Sequence, residues 1–212
     1  MGRRNDARQN GARGAMRARI AAAAARIMAE EGIDDFALAK RKAVRRLGAP
    51  ESEALPGNEE IEIALREYLA LYQADEHPER IAELRRVALE AMRALERFNP
   101  YLTGPVLAGL AGPHAQIDLQ LFPESSKEVE LFLLDLNIAY EASDERRYTG
   151  DRARTVAVIS LYWQGVPLRL SVFDPRDERS ALKTSLAGRV AARAGIAEVG
   201  TLVKTGHVAR PA

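Results

Sequence analysis

Over the first hundred residues apolar positions recur at helical spacing; beyond Pro100 they shorten into runs that alternate with polar residues. From Arg17 to Glu31 an alanine-rich stretch of high helix propensity sets Ile20, Ile27 and Met28 on one face, and Gly32 is placed to end it. Asp34 and Asp35 suit the positive end of a second helix, which runs to Leu47 before Gly48-Ala49-Pro50 stops it. Its apolar positions are Phe36, Leu38, Ala39, Ala43, Val44 and Leu47. A turn at Pro56-Gly57 and an N-cap at Asn58 introduce a third helix, in which Ile61, Leu65, Tyr68, Leu69 and Tyr72 recur until His77-Pro78 breaks it. A fourth, from about Pro78 to Phe98, turns Ile81, Leu84, Leu89, Met92 and Leu95 inward and ends at Asn99-Pro100.

The second half reads differently. Ile117, Leu119 and Leu121 alternate with Gln116, Asp118 and Gln120, which predicts a half-buried strand. Lys127 to Asn137 predicts a short helix, Ile138 to Glu141 a strand, and the charged run through Tyr148-Thr149-Gly150 an irregular excursion. Thr155–Trp163 and Val166–Phe173 are two strong strands joined by Gln164-Gly165, a hairpin signal. Asp174-Pro175 closes the second, and a last helix is expected over about Glu178–Ala194. The chain thus divides into a basic disordered tail (1–16), a helical region (17–99), an α/β domain (100–200) and a tail (201–212). The fold class is α+β, with a helical N-terminal half, a small mixed sheet and a C-terminal helix.

Composition narrows the chemistry. Apolar residues make up 47% but aromatics only 6%, so Leu, Ile, Val and Ala build the core. There are no cysteines, which removes disulfides, thiolate metal sites and a Cys nucleophile together. The three histidines, His77, His114 and His207, include no pair at i, i+4, so a zinc site is not expected. No apolar run approaches the roughly 20 residues of a membrane span. The Ala21–Ala25 run is too short and too weakly apolar for a signal peptide, and a cytoplasmic location is expected.

Net charge is +1, but the positive residues cluster at one end. Arg3, Arg4, Arg8, Arg13, Arg17, Arg19 and Arg26 face a single acid, Asp6, and Lys40, Arg41 and Lys42 follow with Arg45 and Arg46. Such a distribution suits phosphate backbones, so Arg3, Arg4, Arg13, Arg17, Arg19, Lys40, Arg41 and Lys42 are candidate nucleic-acid contacts. The segment Arg19–Gly32 is similar to the first helix of TetR-type repressors. Residues 36–47, however, read as one continuous basic helix, where a repressor needs a turn and a recognition helix.

The segment from Leu107 to Phe122, Leu-Ala-Gly-Leu-Ala-Gly-Pro-His-Ala-Gln-Ile-Asp-Leu-Gln-Leu-Phe, feeds a glycine-rich turn into the alternating strand. With the helix and hairpin that follow, it resembles the nucleotidyltransferase fold. That family's pattern is a Gly-Ser turn, a strand bearing Asp-x-Asp, and a third carboxylate on a neighbouring strand. The resemblance covers residues 100–175. It implies catalytic roles for Asp118 and Gln116, a metal-ligand role for Asp118, Mg or Mn as cofactor, and nucleotide contacts at Gly109, Gly112 and His114. Two-metal phosphoryl transfer needs a carboxylate cage for hard cations. Here Gln116 stands for the first acid, Arg169 and Ser171 occupy the third acid's stretch, and Gly109-Leu110 replaces Gly-Ser.

The leading expectation is therefore a degenerate nucleotidyltransferase-like protein binding a nucleotide or structured RNA. One alternative is an active metal-dependent nucleotidyltransferase completed by Glu141 or Asp174. Another is a non-catalytic module whose helical hairpins dock a protein partner. Tyr162 and Trp163 are expected to pack rather than to stack a ligand, and Ser125-Ser126 to cap a helix.

Overall fold

A computed structural model describes residues 2–33, 35–50, 55–72, 76–112, 115–149, 152–180, 182–183 and 190–206, with backbone alone for 2–13 and 76. The fold is α+β, and the chain forms two compact units.

The first unit comprises Met1–His77 and Leu110–Ala115. Its helix α1 (Gly2–Glu31) buries Ile20, Ala24, Ala25 and Ile27 completely. These small alanines let α2 (Phe36–Leu47) and α3 (Asn58–Tyr72) pack closely against it. The helix continues upstream of Arg17, so residues 2–16 share its backbone rather than forming a separate tail. Asp35 accepts a hydrogen bond from Ala37 N and Gly48 closes α2 at φ +58°, which confirms the sequence's start and stop signals. Between them α2 is unbroken, as the sequence predicts. On α3, Ile61, Leu65 and Leu69 form the buried stripe; the helix ends at Tyr72, short of His77-Pro78.

The second unit comprises Pro78–Gly109 and Gln116–Ala212. Helix α4 (Glu76–Ala94) buries Ile81, Leu84, Leu89 and Met92, with Leu95 just beyond it. A single 3-10 turn, Glu96–Phe98, takes the place of its expected last turn. Then come β1 (Tyr101–Thr103), α5 (Gly104–Ala108), β2 (Ile117–Leu121), α6 (Ser126–Asp135), β3 (Tyr140–Thr149), β4 (Arg152–Trp163), β5 (Val166–Val172), β6 (Leu182–Lys183), β7 (Arg193–Ala194) and α7 (Ile196–Thr205). Ser125 caps α6 through Lys127 N, as expected.

The described strands form one mixed sheet in the order β6-β3-β4-β5-β2-β1-β7. Only β2 and β5 run parallel. Although β6 and β7 lie on opposite edges, Ala191 N, two residues before β7, donates to Leu182 O of β6. The sheet is thereby curled. One face carries Ile117, Leu119, Leu121, Leu168, Leu170, Ile159 and Leu161, all buried. The other carries polar residues and, at one end, an aromatic cluster of Phe122, Phe173 and Tyr101 with Val156 and Leu182.

Two expectations fail here. The charged run after Glu141 is strand throughout: β3 pairs with β4 from Tyr140↔Leu161 to Thr149↔Arg152. It lacks an apolar alternation because no residue of it is buried on either face: half are exposed and half partly so. The helix expected over Glu178–Ala194 is absent from the described residues there, and the C-terminal helix lies at Ile196–Thr205. Edge pairing of Leu102 with Ala194 and Thr103 with Arg193 overrides the helix propensity of this alanine-rich stretch. Helix α7 instead starts at Gly195, whose N–H donates to Glu198 at 2.8 Å.

Candidate functional site

Strand register builds the site. Thr103 pairs with Asp118, Asp118 with Arg169, Arg169 with Ser160, and Ser160 with Glu141, so one row of side chains crosses the polar face of the sheet. At its centre Arg169 Nε donates to Asp118 Oδ1 at 2.8 Å. The Asp118 side chain is 13% exposed and that of Arg169 30%, so the acid is the more deeply buried of the two. Burial pushes the Asp118 carboxyl above its ordinary range, opposed by Arg169 and by Arg147, while Glu145 adds to the rise. Glu145 and Arg147 are themselves an ion pair on β3.

Backbone closes over the acid at Gly104. A Cβ there would sit 2.8 Å from Asp118 Oδ2, and φ is +74°, so this position requires glycine. Arg85, 2% exposed, fastens the turn by donating from Nε to Val106 O and from Nη2 to Leu107 O. Two residues along β2, Gln120 is 6% exposed, level with Ser171 on β5, and its Oε1 has no hydrogen-bond partner.

The nominated residues fall in different places. Gln116 directly precedes β2, half-buried, with the parity of Asp118. Gly109 caps α5 at φ +70°. Gly112 belongs to the first unit, where an added Cβ would meet Ala29 O at 3.6 Å. His114 lies outside the described residues. The glycine against Asp118 is Gly104, a position the sequence signalled only as a glycine between a short β-like run and Pro105.

The residues do not fit a two-metal cage. Asp118 is the sole carboxylate of the motif, its Oδ1 is held by Arg169, and Arg147 adds a second positive group to its surroundings. Glu141 is three strands from Asp118, roughly 14 Å at ordinary strand spacing. Asp174 is occupied in capping the turn that follows β5, accepting from Arg176 N. Among the described residues no three His, Asp or Glu side chains are grouped to hold an ion.

In the first unit Arg17 is committed to Glu60, with contacts of 2.6 to 3.0 Å. Lys42 and Arg46 share Glu31, and Lys40 donates to Asn58. Arg19, Arg41 and Arg45 are exposed, and their side chains meet no partner among the described residues. Arg3, Arg4 and Arg13 lie on α1, described as backbone only. None of the described helices is long and apolar enough to cross a membrane.

No family model, curated protein or solved structure matches this chain.

Proposed function

We propose that the sheet unit is a catalytically degenerate nucleotidyltransferase-like module that binds a nucleotide through Arg169. One observation carries this reading: Arg169 stands on the strand where the resemblance calls for a third carboxylate, directly opposite Asp118, and takes its proton acceptor. A guanidinium fixed through Nε keeps its Nη groups for a second acceptor, and planar donor forks suit phosphate oxygens. Asp118 then acts as the anchor that orients the arginine, and an internal cation replaces the metal.

Calorimetry of the full chain with nucleoside mono- and triphosphates, in EDTA and in Mg²⁺, tests this. The expected result is equal affinity in both buffers and a loss of at least about tenfold in Arg169→Gln, about 1.4 kcal/mol. Metal-dependent transfer of a labelled nucleotidyl group that is abolished in Asp118→Asn would overturn it in favour of an active enzyme. Absence of nucleotide binding would overturn it outright.

A second reading has its own support. Arg19, Arg41 and Arg45, exposed and without a partner among the described residues, suit the phosphate backbone of an RNA, contacted by the helical unit.

A further inference from the structure

Tyr162, next to last in β4, has the face parity of Asp118 and Arg169 and is 70% exposed. In a chain so poor in aromatics, its packing is unusual. Among the described residues Tyr72 is equally open at 71%, but that ring lies 4.6 Å from Tyr68, whereas the Tyr162 ring has no aromatic, cationic or hydrogen-bonding partner. The ring is therefore no part of the core.

Register gives the surroundings. Tyr162 pairs with Pro167, and Ser160 with Arg169, so Tyr162 and Arg169 are diagonal neighbours across β4 and β5. Such neighbours are about 7 to 8 Å apart, within reach of aromatic and long side chains. Ile117 pairs with Leu168, which sets Gln116 level with Pro167. The row Gln116, Pro167, Tyr162 thus lies beside the row Asp118, Arg169, Ser160. An amide, a flat pyrrolidine ring and an open phenol stand in the row next to Arg169.

We infer that Tyr162 is the stacking platform for the base of a nucleotide whose phosphate is held by Arg169. The inference rests on the nucleotide-binding reading above and adds the ligand class: a nucleoside phosphate, free or at the end of a strand, with the base lying over Tyr162 and its edge toward Gln116. An aromatic ring on a sheet surface next to an arginine stacks a base and grips the adjoining phosphate. The separation between Tyr162 and Arg169 is one that a nucleotide spans between base and phosphate.

The full chain is titrated with adenosine 5′-monophosphate, ribose 5-phosphate and inorganic phosphate, and a short oligoadenylate with a terminal phosphate separates free nucleotide from strand end. Tyr162→Ala is expected to weaken the adenylate about 5- to 150-fold, the range of one base stack. It should leave ribose 5-phosphate and phosphate unchanged, and Tyr162→Phe should restore the adenylate. Arg169→Gln should weaken all three. If Tyr162→Ala binds adenylate like the parent while Arg169→Gln does not, the platform is wrong and the phosphate site stands. If the parent binds none of the probes, both readings fall. An unchanged melting curve for Tyr162→Ala, expected at so exposed a position, confines the effect to binding.

Discussion

Two glycines show how much a single residue decides here. Gly165 and Gly104 both hold positive φ, +80° and +74°, but nothing lies within 4 Å of a Cβ built at Gly165, while one at Gly104 would strike Asp118. Gly165→Ala should therefore cost only the left-handed backbone, roughly 1 to 2 kcal/mol. Gly104→Ala adds displacement of a buried carboxylate and should cost about 3 kcal/mol or more. Urea midpoints of the two variants check the order; equal losses would mean that the turn does not press on Asp118. Asp118 also leaves a signature in pH. Its folded pKa is raised by burial, so above an unfolded value near 4 the native state holds the proton longer. Its contribution to stability then falls as pH rises from that value through the folded pKa. Asp118→Asn lacks this fall, so the stability of the variant minus that of the parent should climb from pH 4 to 7. A difference that shrinks over that range would mean that Arg169 outweighs burial.

Elements with a local signal were legible. Asp35 and Gly48 bound α2, Ser125 starts α6, and Gln164-Gly165, at φ +51° and +80°, turns the β4–β5 hairpin with the two positive dihedrals that such a short loop requires. Elements formed by partnership were not. Strand β3 carries Glu141, Asp144, Glu145, Arg146 and Arg147 and has no amphipathic period; what makes it a strand is the ten-pair ladder to β4. The same holds for β6 and β7, two residues each, which exist because the edges of a curled sheet come within reach of one connecting segment. Propensity favoured helix there, and long-range pairing won.

Charge is a property of the whole molecule: in the helical unit residues 1–46 carry 12 Lys and Arg against 5 Asp and Glu, while over Met1–His77 the two balance at 13 each. If that unit grips RNA, the contacts come from cations that the fold leaves unspent. Arg17, Lys42 and Arg46 neutralise Glu60 and Glu31, whereas Arg41 and Arg45 do not meet an acid among the described residues. Arg41→Ala with Arg45→Ala should lower the slope of log affinity against log salt by about 2 for a structured RNA, while Lys42→Ala should change it less. Filter binding across a salt series measures this, and an unchanged slope in the double variant would remove α2 from the interface. Deleting the first 26 residues would be a poor substitute, because Ile20, Ala24 and Ala25 are core.

By itself the sequence determined the fold class, the four helices of the first half, the alternating strand bearing Asp118 and the hairpin behind it. Each rests on periodicity, capping or turn chemistry, which act over a few neighbouring residues. Only the tertiary structure decided that Arg169 and Asp118 bond, that Gly104 rather than Gly109 covers them, and that Tyr162 stands open beside them. Those facts follow from the register between strands distant in the chain, and a shift of one residue in that register would turn every one of these side chains to the other face.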